Sequence, residues 1–359
     1  ELMKKFMLVL AILLLVVALP AAAQQDAPTL DQVTGLARYY PESSPFFFSI
    51  RIDDAYIQTM SDLIDSLNDR LNLGMTRTLA EELAALNVTG SMSGGTFAET
   101  MRPWLGGTMA IGITNAADLM DDKPQNDSLV RYLLAIDVTD QDEAIAFLRS
   151  ALGSTIESYE VEAQDGYTQF TPLPGYFYSS QPTYRVTSDA LLVASNRGAL
   201  PVDGMLSLDQ SSQFGENLAL LPEPTYNAAA YANVGVLYNG ILTSTYTGLS
   251  QSYIDLVSAL VSTQVYGFTL LDDRSLVMDV VQSMGDQAAL EAAGYPVADY
   301  SALGAIDPAF VRYLPAGTLA VWHGTDLRTQ VSMSETAFQQ SLEMQIQAMQ
   351  GTGLDSEVL

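Results

Sequence analysis

The chain has 359 residues, 48% of them hydrophobic, with 42 acidic and 15 basic side chains and a formal net charge of −27. So acidic a surface repels nucleic acid and anionic lipid. No cysteine is present, so a disulfide framework, a thiolate nucleophile and a thiolate metal site are all excluded.

The first residues carry an address. Met3 reads as the initiator, Lys4 and Lys5 form a short basic start, and an apolar run extends from Phe6 to Leu19. Pro20 and the small residues Ala21, Ala22 and Ala23 follow before Gln24. That order is expected of a secretory signal peptide cut after an Ala-x-Ala site, with Ala21, Ala23 and Gln24 at the cleavage point. The apolar run is 14 residues long, against the roughly 20 that a helix needs to span the hydrocarbon core. The alternative is an uncleaved leader, and membrane contact is expected only through it. Loss of residues 1–23 removes Glu1, Lys4 and Lys5 and leaves 336 residues with 41 acids, 13 bases and one lysine, Lys123. The expected location is periplasmic, cell-surface or extracellular.

Residues 24–29 read as a short joint. From Leu30 to Tyr40 the apolar residues Leu30, Val33, Leu36 and Ala37 fall on one helical side. Pro41 ends that run, because a residue before proline is driven out of the helical region. Phe46 to Ile52 reads as a strand. Asp53 is placed to cap the next helix, in which Ile57, Met60, Ile64, Leu67 and Leu71 form an apolar stripe up to Gly74.

The pattern recurs downstream. Val130, Tyr132, Leu134, Ile136 and Val138 read as one face of a strand, and Asp140 opens a helix with Glu143 at the capping-box distance. Ala144, Ile145, Leu148, Ala151 and Leu152 form its apolar side, and Gly153 stops it. Residues 156–195 read as hairpin strands rich in tyrosine, and Val265–Leu271 with Ser275–Val281 as a further hairpin around Asp272-Asp273-Arg274. The fold class expected is α+β, with mixed or antiparallel sheets and helices packed on one face.

An internal repeat is visible. Ala37-Arg38-Tyr39-Tyr40-Pro41 returns as Val311-Arg312-Tyr313-Leu314-Pro315, each followed by a strand and then an acid, Asp53 or Asp326. A weaker copy runs from Leu221-Pro222-Glu223 through the strand Tyr226–Tyr231 to Asn233. The three prolines lie 181 and 93 residues apart, so no solenoid with a fixed period results. Residues 30–300 read as an α+β domain of repeated units, and 301–359 as the start of a second repeat that is cut short. The Arg-Tyr pair reads as a corner, its ring beneath the sheet and its guanidinium on backbone carbonyls.

At this repeat the chain resembles a bacterial family of exported proteins known as domain of unknown function 3352. The likeness is carried by Leu36–Pro41 with its strand, Arg102-Pro103-Trp104-Leu105-Gly106 leading into Thr108–Ile113, the strand and helix from Leu133 to Leu148, and Tyr184–Ser195. The resemblance implies export and a repeated α+β layout, and it brings no catalytic residue.

No cofactor, metal or catalytic group is expected from the residues. His323, the one histidine, sits in the apolar strand Leu319–His323, and no Gly-x-Ser-x-Gly elbow is present. Asp121 with Asp122, Asp140 with Asp142 and Glu143, and Asp272 with Asp273 are the acid clusters. Each lies at a turn or helix start, where acids act as caps and turn formers. The loop Gly90–Gly95 lacks a P-loop lysine. The tyrosines between 156 and 184 read as strand packing, with an aromatic binding surface as the alternative. The function expected is a non-enzymatic binding or scaffold role, with an envelope protein or glycan as partner; the rival is an exported hydrolase using two carboxylates.

Overall fold

The computed structural model describes residues 29–71, 96–115, 131–175, 181–237, 261–270 and 276–284. The segment expected to be a leader, with Ala21, Ala23 and Gln24, lies outside them. So do Asp121, Asp122, Lys123, Asp272, Asp273, His323, residues 90–95, expected to form a loop, and residues 311–315, expected to be a repeat.

A strand whose two faces are both apolar must be covered on both sides. β1 (Phe46–Arg51) is such a strand: five of its six residues, Phe47 to Arg51, are buried. It lies in the middle of a ten-stranded antiparallel sheet of order β10-β9-β8-β1-β2-β3-β7-β6-β5-β4. The other strands are β2 (Leu105–Ile113), β3 (Tyr132–Val138), β4 (Tyr159–Gln164), β5 (Tyr167–Pro172) and β6 (Thr183–Thr187). β7 (Ala190–Ala194), β8 (Ala228–Ala232), β9 (Val261–Leu270) and β10 (Leu276–Met284) complete it. The chain is α+β, and the sheet dominates.

The expectation that helices pack on one face is corrected, because both faces are covered. On the first, Phe48 and Ile50 of β1 meet Leu134, Ile136 and Val138 of β3. Over them lie α2 (Asp54–Leu71), through Tyr56 and Met60, and α4 (Gln141–Leu152), through Ala144, Leu148 and Leu152. On the second, Phe47, Leu133, Ala135 and Leu192 are covered by α1 (Leu30–Thr34) with the 3-10 turn Gly35–Tyr39, and by α5 (Ser212–Leu218). The signal was the unbroken run Phe46-Phe47-Phe48, since alternation would have left one face polar.

The long helix expected over 30–40 is one α-helical turn that tightens into the 3-10 turn. Thr29 and Gln32 form a capping box at its start. At the other end Tyr40 is extended, at φ −103° and ψ 141°, as a residue before proline must be. Val33, Leu36 and Ala37 are buried as the spacing predicts.

β1 and β8 lie side by side, Phe47 opposite Tyr231 and Ile50 opposite Ala228. β8 is shorter at its start than the expected Tyr226–Tyr231 strand. The surroundings of the two strands correspond. Asp53 after β1 caps α2, its Oδ1 accepting from the Tyr56 N–H at 3.0 Å and its carbonyl from the Ile57 N–H at 2.9 Å. Asn233 after β8 does the same for the Val236 N–H at 3.1 Å and the Leu237 N–H at 3.0 Å. Before β1, Tyr40 lies fully buried against Gly112 of β2; before β8, Tyr226 lies fully buried against Gly267 of β9. The Tyr40 hydroxyl donates to the Leu133 carbonyl in β3 at 3.0 Å, and the Tyr226 hydroxyl to Asp279 in β10 at 2.9 Å. Burial raises the pKa of both phenols, Tyr226 to about 12. Edge-to-face contacts Tyr40–Phe47, Phe47–Phe214 and Phe214–Tyr231, at 5.0, 5.9 and 5.2 Å, run from one strand's surroundings to the other's.

Candidate functional site

Towards the carboxy-terminal end of β1 the second face changes from apolar to charged. Arg51 of β1 sits opposite Thr108 of β2, Asp137 of β3 lies beyond it, and Asp189 follows in the turn between β6 and β7. Asp31, Gln32, Gly35, Leu36 and Arg38 come from α1 and the 3-10 turn. With Arg51, Asp53, Gly107, Thr108 and Asp137 they line a cleft of about 720 Å³.

The floor depends on an irregularity in β2. Its register slips against β3 between Leu105 and Met109, which face Val138 and Ile136, so β2 holds two extra residues there. Such bulges re-aim side chains at strand ends. The Gly107 N–H donates to Asp137 Oδ2 at 2.9 Å. A Cβ on Gly106 would overlap that carboxyl, so a glycine is required where the acid approaches the backbone.

The sheet-borne acids of the cleft, Asp53 and Asp137, and Asp189 in the nearby β6–β7 turn each have a partner. Arg51, 9% exposed, donates through Nε and Nη2 to the Asp53 carboxylate. Asp53 also caps α2, so one carboxylate satisfies both a helix end and a buried guanidinium. Beside it Arg102 pairs with Asp54 and reaches the Ile52 carbonyl at 3.4 Å. Asp189 accepts from Arg38 Nη2 at 2.6 Å, from the Tyr39 hydroxyl at 2.7 Å and from the Thr187 hydroxyl at 2.8 Å. The Arg38 guanidinium lies 5.1 Å from the Tyr39 ring centroid.

The corner reading of the Arg-Tyr pair therefore needs a correction. The ring packed beneath the sheet belongs to Tyr40, while Tyr39 and Arg38 clasp a carboxylate instead of backbone carbonyls. A carboxylate offers the guanidinium a stronger, charge-assisted partner, and the sequence gives no sign that a turn 151 residues away supplies it.

Burial works against ionising Asp189, but the hydrogen bonds from Tyr39 and Thr187 and the charge of Arg38 outweigh it and hold the carboxyl below its usual range. A depressed acid contributes stability above its unfolded pKa, about 3.9, and that stability is lost as the pH falls through the folded value. Asp189→Asn is therefore expected to be less stable than the parent at neutral pH, with the gap in urea midpoints closing as the pH falls below the ordinary carboxylate value of about 3.9. A gap that does not change with pH would contradict the clasp.

The sequence clusters fall elsewhere. Asp140, Asp142 and Glu143 are exposed at the start of α4, and Asp140 Oδ1 accepts from the Glu143 N–H at 3.1 Å. That is a cap. Asp140→Ala is expected to cost about 1 kcal/mol in urea unfolding, and no measurable loss would contradict it. Gly153, at φ 52°, follows the last turn of α4 as predicted. Among the tyrosines, Tyr159 and Tyr184 are buried, as is Phe170 beside them in sequence, and the rings of Tyr159 and Tyr184 meet at 5.9 Å. Arg185 covers Tyr167, its guanidinium 4.5 Å from the ring centroid. Tyr159, Phe170 and Tyr184 thus pack in the first-face core; Tyr176, Phe177 and Tyr178 lie outside the described residues. Asp137 and Asp189 were not singled out by sequence reasoning; the pair Gly106-Gly107 inside a strand was the signal available for the first.

Among the described residues no group of three or more His, Cys, Asp and Glu is arranged to hold a metal ion. None of the described helices is long and apolar enough to cross a membrane.

The sequence profile of a family described as protein of unknown function (DUF3352) matches residues 6–357. The chain belongs to that family. No curated protein matches it. Among solved structures, crystal form I of TP0453 aligns with 76% of this DUF3352 chain and 85% of its own, at 9% identity and a TM-score of 0.30. A likeness of that size carries no statement about the fold or activity of this DUF3352 protein.

Proposed function

We propose that the chain is an exported, non-catalytic protein of the cell envelope or extracellular space, acting by binding or scaffolding towards an envelope protein or glycan. One observation supports the non-catalytic part: four carboxylates at or near the cleft and at the α4 start are engaged in structure. Asp53 serves a helix end and Arg51, Asp137 a backbone amide, Asp140 a cap, and Asp189 a clasp between distant segments. A pair of hydrolytic carboxylates needs one acid held protonated and a second on the opposite side of the substrate; Asp189 is instead held ionised. Export is supported by the order Lys4-Lys5, Phe6–Leu19, Ala21-Ala22-Ala23.

The layout is a duplicated one in this reading. β1 and β8 begin two related units, each with a tyrosine beneath the sheet, a facing glycine and a capped helix, and Val311–Pro315 opens a further copy within 301–359. Residues 30–300 form the α+β domain that holds the first two.

The mature protein, assayed against glycan and ester panels, is expected to give no turnover above a blank. Turnover abolished by Asp137→Asn or Asp140→Ala in a folded variant would sink the non-catalytic reading and favour the carboxylate hydrolase.

A further inference from the structure

We draw no further inference here: the strongest candidate, the first-face side of the outer strand β10, where Met278 and Val280 are exposed beside the stacked rings of Tyr266 and Phe268, carries nothing because nothing in the structure shows what covers it.

Discussion

Trp104→Ala is expected to lower the unfolding free energy by about 3–5 kcal/mol, the range for removing a large aromatic from a packed core. The indole is 1% exposed and sits where α3 (Phe97–Thr100) hands over to β2. Its ring meets Phe147 of α4 at 5.1 Å, and its Nε1–H donates to the Thr100 carbonyl at 2.8 Å. Its own carbonyl accepts from the Thr139 N–H at 2.8 Å, just before the Asp140 cap. The side chain therefore joins α3, the first-face core and α4, while the backbone carbonyl, which the alanine variant keeps, holds the segment before α4. Trp104→Phe keeps most of the apolar area and loses the indole hydrogen bond, so its cost is expected to be less than half as large. A loss under about 1 kcal/mol for the alanine variant in urea unfolding would contradict this placement of the ring.

Gly267→Ala is the second large effect. A Cβ at that position would lie inside contact distance of three atoms of the Tyr226 ring. The ring is fully buried and anchored at both sides: its hydroxyl donates to Asp279 and accepts from the Glu223 N–H at 3.0 Å. It cannot step aside, so the extra methyl acts as overpacking and is expected to cost about 1–3 kcal/mol or more. Tyr226→Ala alone is expected to cost about 3–5 kcal/mol. Because the two changes act on one contact, the double variant should be more stable than their sum by at least about 1 kcal/mol. Strict additivity would show that ring and glycine do not meet. Gly112 offers a harder version, because a Cβ there would lie 2.6 Å from the backbone oxygen of Phe46 as well as against Tyr40.

Elements and caps were legible in the sequence because their causes are local. Period-two and helical spacing placed β1, β3, α2 and α4, and the capping acids Asp53 and Asp140 sit where one oxygen can reach the amides of the next turn. Pro41 fixed the extended Tyr40 for the same reason. What stayed hidden was long-range. That β8 lies against β1 depends on pairing residues about 180 apart, Phe47 with Tyr231. Covering of the second face rests in part on the short segments between 197 and 221, which carry little periodicity. The cleft was least visible. Its parts come from α1, the 3-10 turn, β1 with Asp53 after it, β2 and β3, and Asp137 reaches its amide only through the bulge at Gly106 and Gly107.

Electrostatics ties fold and proposed role together. An excess of acids favours self-repulsion between molecules, and among the described residues four arginines are engaged within the fold: Arg38 on Asp189, Arg51 on Asp53, Arg102 on Asp54, and Arg185 on Gln169 and the Pro201 carbonyl.

The account depends most on removal of the leader to release this domain. The direct measurement is the intact mass of the chain produced with its leader in a bacterial host and recovered from the extracytoplasmic fraction. The expected mass is that of a polypeptide beginning at Gln24. A folded protein recovered from the cytoplasm with residues 1–23 still attached, and none outside it, would contradict the account.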